Sequence, residues 1–257
     1  MISLRTRVSG SGPAVLWLHG YTMDSSLWSE LWDLLPGFRH IGVDLPGHGE
    51  SAPVPAGMTL PGLAAGLAAM AREADARRVV ALSFGTIMAL QLAIDFPGQV
   101  ERLAVGAPTI SGRPAEPGIP ERYMALALLN RITGPGEGMT DLWMSAPPDI
   151  FRGTERHPQL RERIRSVISR HSWAELANGR FGPLTEHVQE TGDLRRITAD
   201  TLVVIGDEDM PAYHGHATTL GSVVPRCRLH QVPGAGHLCL LERAAEVAPV
   251  LAAQLAA

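Results

Sequence analysis

Arg78-Val79-Val80-Ala81-Leu82-Ser83-Phe84-Gly85-Thr86 is the stretch on which the reading of this chain turns. Residues 78–82 are apolar on both faces after the leading arginine, as central strands of a parallel sheet are, because helices cover such a sheet on each side. Residues 84–96 are apolar nearly all round, which predicts a helix buried against that sheet and stopped by Pro97-Gly98. Between strand and helix, Ala81-Leu82-Ser83-Phe84-Gly85 has the small-x-Ser-x-small form of a nucleophile elbow, with Ala81 where a first glycine is usual. A strand that turns sharply into a helix leaves no room for bulk two residues to either side of the turn, and holds the middle residue strained and exposed. The bland alternative is a serine that merely caps the helix, and the strand-to-helix context weighs against it.

Working outward, short apolar runs alternate with helical patterns, which argues for βα units and a mainly parallel sheet. Toward the N-terminus, Val15-Leu16-Trp17-Leu18 reads as a buried strand, and Leu27, Trp28, Leu31, Trp32 and Leu35 share one helical face behind the capping candidates Asp24, Ser25 and Ser26. His40-Ile41-Gly42-Val43 is a second strand, running into the turn-rich Asp44-Leu45-Pro46-Gly47-His48-Gly49-Glu50-Ser51, and Thr59 can cap a helix carrying Leu63, Leu67 and Met70. Beyond the quoted stretch, residues 100–107 form another strand. The rhythm then breaks over residues 108–196, where Pro and Gly cluster and Leu160, Ile164, Val167 and Ile168 make one narrow apolar stripe above an Arg-rich face. The expectation is an α/β core over residues 1–108 and 197–257 with an inserted helical cap over 109–196. The sheet resumes at Thr201-Leu202-Val203-Val204-Ile205 and ends with residues 226–232, with short helical periodicity at 212–220 and a closing helix at 240–255. No repeat of 20–50 residues appears, so solenoids and propellers are excluded.

Composition narrows the function. With 257 residues, 45% hydrophobic and 19% charged, the chain can bury an ordinary globular core without metal or disulfide. A net charge of -4 with scattered arginines offers no footprint for nucleic acid. All 22 basic residues are Arg, which excludes a Schiff-base lysine and a phosphate-loop lysine together. Cys227 and Cys239 make neither a disulfide framework nor a zinc site. The first thirteen residues lack the apolar stretch of a signal peptide, and no apolar run approaches the roughly 18 residues of a membrane span. A cytoplasmic protein with no membrane contact is expected.

A serine hydroxyl needs a base, itself oriented by a carboxylate, so an activated Ser83 predicts an acid and a histidine downstream. Gly206-Asp207-Glu208-Asp209 follows one late strand and Gly234-Ala235-Gly236-His237 the next, giving the order Ser, Asp, His. At this point the chain resembles the α/β-hydrolase superfamily over residues 12–108 and 200–257. The likeness rests on Leu18-His19-Gly20-Tyr21, the Asp44-to-Ser51 turn, the elbow at Ser83, Gly206-Asp207-Glu208-Asp209 and Gly236-His237, in that order. The resemblance implies that fold, with Ser83 as nucleophile, His237 as general base then acid, and Asp209 as its orienting partner, Asp207 being the rival acid. It also implies an oxyanion hole made by the backbone N–H groups of Tyr21 and Phe84.

The other candidates have quieter readings. His19 and His48 are expected to hold their loops, His214 and His216 lack a third ligand for a metal, and Cys239 is expected to pack. Trp143, Met144, Phe151, Trp173 and Phe181 of the cap either line the substrate pocket or pack the cap itself. The expected activity is a cofactor-independent serine hydrolase cleaving an ester, lactone or thioester of a small to medium apolar molecule through an acyl-enzyme. Compact size and the Asp44-to-Ser51 turn resemble enol-lactonases, small-molecule esterases and the menaquinone-pathway lyases. Lyase or carbon–carbon bond chemistry on the same triad stays open as an alternative, as does a ligand-binding protein with vestigial catalysis. Phe84 and Thr86 depart from the more usual Met and Gly, which leaves the subfamily open.

Overall fold

The computed structural model describes residues 4–256. Met1, Ile2 and Ser3, which head the segment read above for a leader, and Ala257 lie outside the described residues. Seven strands, β1 (Thr6–Ser9), β2 (Ala14–Leu18), β3 (Arg39–Val43), β4 (Arg78–Leu82), β5 (Arg102–Gly106), β6 (Asp200–Gly206) and β7 (Cys227–Val232), make one sheet in the order β1-β3-β2-β4-β5-β6-β7. Only β1 is antiparallel to its neighbour. This is the α/β-hydrolase fold expected from the sequence. β1 escapes sequence reading because its four residues are all exposed and pair along one edge only, so no burial writes a pattern into it.

The register lines up the carboxyl ends of the central strands. Leu18 pairs with Ala81, Leu82 with Gly106, Gly106 with Val204 and Gly206 with Val232. The loops that follow β2, β4, β5, β6 and β7 therefore emerge along one edge. The strand order reverses between β2 and β4, and an open α/β sheet binds its ligands in the crevice at such a point. Both strands are buried along almost their whole length. The Phe84–Asp95 helix that follows β4 is buried on all sides over residues 84–94, and packs on Leu60–Glu73.

Local readings hold with two adjustments. The face of Leu27, Trp28, Leu31, Trp32 and Leu35 is buried, but it is built from a 3-10 turn (Ser25–Trp28) capped by Asp24 and a short helix (Ser29–Asp33). The closing helix is broken at Arg243 into Cys239–Glu242 and Ala244–Ala256, beside a Glu242 whose carboxylate turns back toward residues 236 and 238. Between β5 and β6 run the helices Ile119–Thr133, Glu137–Met144, Pro158–Ile168, Ala174–Asn178, Gly182–Thr185 and Thr191–Leu194 and the 3-10 segment Asp149–Arg156. Hydrogen bonds tie this stretch to the sheet unit: Trp143 Nε1 donates to Thr22 Oγ1 at 2.8 Å, and Gln189 Nε2 to the Ile87 carbonyl at 2.9 Å. Among the described residues no helix is long and apolar enough to cross a membrane.

Candidate active site

Ser83 sits at the bend between β4 and its helix with φ 49° and ψ -118°, a left-handed conformation that strains any residue with a Cβ. Such strain costs on the order of 1–3 kcal/mol and persists only where the surroundings impose it. Three contacts do so. The Ser83 N–H donates to the Gly106 carbonyl at 2.9 Å, which pins the turn to β5. A Cβ at Gly85 would stand 2.6 Å from both the Leu18 and His19 carbonyl oxygens, so only glycine lets the helix start so close to β2. Thr86, a departure from the family pattern, bonds through Oγ1 to the Ser83 carbonyl at 2.5 Å and accepts the Thr109 N–H at 2.7 Å. The threonine thus ties the bend to the loop after β5.

The downstream histidine and acid meet this serine. His237 Nε2 lies 2.8 Å from Ser83 Oγ, and Nδ1 lies 3.0 and 3.2 Å from the two carboxylate oxygens of Asp209. With Nδ1–H given to an acceptor-only carboxylate, the network assigns the Nε2 lone pair to the serine hydroxyl. Both side chains are almost wholly withdrawn from water. Asp207 is elsewhere: it is exposed and accepts the Gly234 N–H at 2.7 Å, holding the turn before the histidine. Gly206 is what lets the two loops meet, because a Cβ there would lie 2.2 Å from the Ala235 carbonyl oxygen and 2.3 Å from that of Gly236. Two groups that the sequence does not announce hold the ring. Buried Glu242 accepts the N–H groups of Gly236 and Leu238 at 2.7 and 3.1 Å, one on each side of His237. Tyr213 lays its ring 4.2 Å, centroid to centroid, from the imidazole.

Tyr21 and Phe84 line the same cavity as Ser83. Phe84 opens the helix, whose first N–H groups have no intrahelical partner, and Tyr21 follows β2 by way of His19 and Gly20. Among the described residues no protein acceptor takes the backbone N–H of either. His19 holds its loop: Nδ1 donates to the Gly20 carbonyl at 2.8 Å and Nε2 accepts the Leu45 N–H at 2.9 Å, so the ring is neutral. Burial pushes its pKa below the usual histidine value. His48 donates to the Pro46 carbonyl at 3.1 Å, and burial, with His171 and His19 beside it, holds it well below that value. Asp44 accepts the N–H groups of Ser25 and Glu50, which closes the turn read from residues 44–51. His216 donates to the Pro108 carbonyl at 3.2 Å, and burial raises the Cys239 thiol.

A cavity of about 330 Å³ opens on Ser83, lined by Tyr21, Phe84, Tyr123, Trp143, Phe151, Phe181 and Tyr213 among others. Of the aromatic residues flagged from the sequence, Trp143, Phe151 and Phe181 line it, while Trp173, like Met144, is buried away from it. A larger cavity, of about 570 Å³, lies near Arg5, Asp44 and Arg170 and does not include Ser83. Sequence reading passed over a buried polar group in the smaller cavity. Tyr21 Oη donates to Glu175 Oε1 at 2.5 Å, and the same oxygen lies 2.9 Å from His171 Nε2. His171 precedes the helix Ala174–Asn178 and Trp173 between them has a positive φ, so no helical spacing in the sequence pairs His171 with Glu175.

A mainly parallel sheet whose loops bring a strained serine, a histidine and an aspartate into one hydrogen-bonded line defines the α/β-hydrolase class of enzyme. The model of the alpha/beta hydrolase family matches residues 15–250, and the chain belongs to that family. It is 29% identical over 243 residues to a dihydrolipoyllysine-residue acetyltransferase component of an acetoin cleaving system from Cupriavidus necator, covering 93% of this chain but 62% of that longer relative. It is 28% identical to a pimeloyl-[acyl-carrier protein] methyl ester esterase from Xanthomonas campestris pv. campestris, covering 95% of each chain. A thermophilic esterase from Thermogutta terrifontis superposes with a TM-score of 0.83 and 26% identity, over 99% of this chain and 93% of that one.

Proposed function

We propose that this chain is a cofactor-independent serine hydrolase that cleaves an ester, lactone or thioester of a small to medium apolar molecule through an acyl-enzyme. The observation that carries the reading is the unbroken line from Ser83 Oγ through His237, at 2.8 Å, to Asp209, at 3.0 Å. In the proposed cycle His237 Nε2 takes the Ser83 proton as Oγ attacks the carbonyl carbon. Asp209 keeps the ring in the tautomer that leaves Nε2 free and favours the imidazolium that forms. Negative charge on the carbonyl oxygen is met by the N–H groups of Tyr21 and Phe84, each such donor contributing roughly 3–4 kcal/mol. His237 then protonates the leaving alcohol or thiol, and water, deprotonated by the same ring, releases the acid.

Residues 109–196 act in this reading as a cap over a core of residues 1–108 and 197–257, and the aromatic wall they contribute suits an apolar acyl or alcohol group. The cavity, of about 330 Å³, has room for a small to medium molecule. The similarity to esterases supports the choice of bond. The test is labelling by a fluorophosphonate probe, expected on the wild type and lost in Ser83→Ala, joined to a hydrolysis screen over aryl esters, lactones and thioesters of graded length. Equal labelling of both proteins, or none of either, refutes an activated Ser83. Intact-mass detection of an acyl-Ser83 adduct during turnover is the further expectation, and turnover without it points to lyase chemistry instead.

A further inference from the structure

The cavity beside Ser83 is mostly aromatic and aliphatic, yet a carboxylate is built into its wall. Glu175, in Ala174–Asn178, is 8% exposed and lines the cavity together with Ser83 and Tyr21. Its two oxygens are treated differently. Oε1 receives both Tyr21 Oη and His171 Nε2, while Oε2 is buried and takes no hydrogen bond from another residue. Among the described residues that line this cavity, Glu175 is the one with a buried side-chain polar atom left unpaired. A buried carboxylate oxygen without a donor is costly, and folded proteins leave few such atoms unless something else satisfies them. Burial works against ionisation here, but the bonds from His171 and Tyr21 outweigh it and hold the Glu175 pKa below the ordinary carboxylate value. The Glu175 carboxylate, part of the residue wall of this cavity, is therefore an anion at neutral pH.

We infer that Glu175 determines specificity: Oε2 receives a hydroxyl group carried by the substrate, so the site selects neutral, hydroxyl-bearing esters and rejects those ending in a carboxylate. The inference rests on the proposed ester hydrolysis at Ser83 and names its substrate class. A hydroxyl supplies the donor that Oε2 lacks. A methyl group supplies none and leaves the oxygen unpaired, and a second carboxylate places like charges together in a poorly solvated space. Hydrogen bonds to charged groups have a size that corresponds to a preference of about tenfold or more.

The experiment measures kcat/KM for aryl esters matched in chain length and ending in methyl, hydroxyl or carboxylate, on the wild type, Glu175→Gln and Tyr21→Phe. In Glu175→Gln the amide oxygen is claimed by Tyr21, so the NH2 group takes the position of Oε2 and turns a donor toward the cavity. The wild type is expected to favour hydroxyl over methyl by about tenfold or more, and methyl over carboxylate by at least as much. Glu175→Gln is expected to raise the carboxylate ester about tenfold relative to the methyl ester. Tyr21→Phe, which keeps Oε2, is expected to keep the wild-type ratios even while slowing every ester. A role confined to holding Tyr21 predicts the opposite pattern, in which Glu175→Gln slows all three esters alike. That pattern, or a wild type that treats the three alike, overturns the inference. The wild-type ratios decide the matter should the variant not fold. Turnover with unmoved ratios defeats this inference alone, whereas an unlabelled Ser83 with no turnover defeats the hydrolase reading. In that case thermal shifts by the matching methyl ketones, ending in methyl, hydroxyl or carboxylate, read the same preference as binding, and equal shifts overturn it.

Discussion

Replacing Glu242 by glutamine probes how the histidine is held without touching it. The Glu242 side chain spends one oxygen on each neighbour of His237, with Oε2 on the Gly236 N–H at 2.7 Å and Oε1 on the Leu238 N–H at 3.1 Å. Glutamine has a single carbonyl oxygen, so one bond survives and an NH2 group is turned against the other N–H. Relaxation is obstructed on the far side, because Gly153 lies so close that a Cβ there would stand 2.1 Å from Oε2. A hydrogen bond to a charged group contributes about 1.5–3 kcal/mol, and Glu242→Gln is expected to lose stability by about that amount. Once the loop shifts, the imidazole shifts with it, and a displacement of about 1 Å at a reacting group can cost on the order of a hundredfold in rate. Because Glu242 lies outside the wall of the Ser83 cavity, the loss should fall on kcat and leave KM nearly unchanged. Urea unfolding measures the first quantity, and ester kinetics with fluorophosphonate labelling rates measure the second. A variant within about 0.5 kcal/mol of the wild type, the range of an uninvolved surface change, and with an unchanged labelling rate would show that the clamp does not hold His237.

The other expectations follow from the same geometry. Gly85→Ala forces a Cβ against two backbone oxygens at 2.6 Å and is expected to cost about 1–3 kcal/mol in urea unfolding and most of the labelling rate, whereas Gly98→Ala, which meets nothing within 4 Å, serves as control. Asp209→Asn should lower kcat/KM by a factor on the order of 10⁴, the size seen when a triad imidazole loses its orienting carboxylate, and Asp207→Asn should leave it within about tenfold. A large loss from Asp207→Asn with little from Asp209→Asn would reverse the assignment. Burial holds His19 and His48 below the usual histidine pKa of 6.5, so the unfolded chain gains protons that the folded one refuses as pH falls. Their contribution to stability is intact above pH 6.5 and declines below it, by up to about 1.4 kcal/mol per pH unit for each ring, until the folded pKa is reached. Urea unfolding between about pH 7.5 and 5.5 should show that slope, and His48→Gln should flatten it by as much as one proton; an unchanged slope contradicts a neutral His48.

Much of the fold is legible because its cues are local. The strand of residues 78–82, the turn at Ser83 and the all-apolar helix after it are written in adjacent residues, and the structure places β4 and Phe84–Asp95 where those cues put them. The closing helix shows the limit of such cues. Its periodicity runs through Arg243 unbroken, while the chain breaks there beside a carboxylate committed to another loop. The four residues of β1 are exposed and gain order only from pairing with β3, so period and hydrophobicity are silent about them. At the site, Ser83 and His237 carry recognisable neighbours, but Glu175, Tyr213 and Glu242 stand in stretches with no motif and become relevant only through what they touch.

By itself the sequence determined the order of the chemical groups along the chain, the elements that carry them and the class of sheet, since periodicity, small residues at a sharp bend and turn chemistry act over a few positions. Only tertiary structure set Asp209, and not Asp207, against the His237 ring, and set the Glu175 carboxylate on the hydroxyl of Tyr21. Glu175 is 154 positions from Tyr21, as His237 is from Ser83. Partners so far apart are chosen by the register of the sheet and the close packing of loops at its edge, which no local pattern encodes.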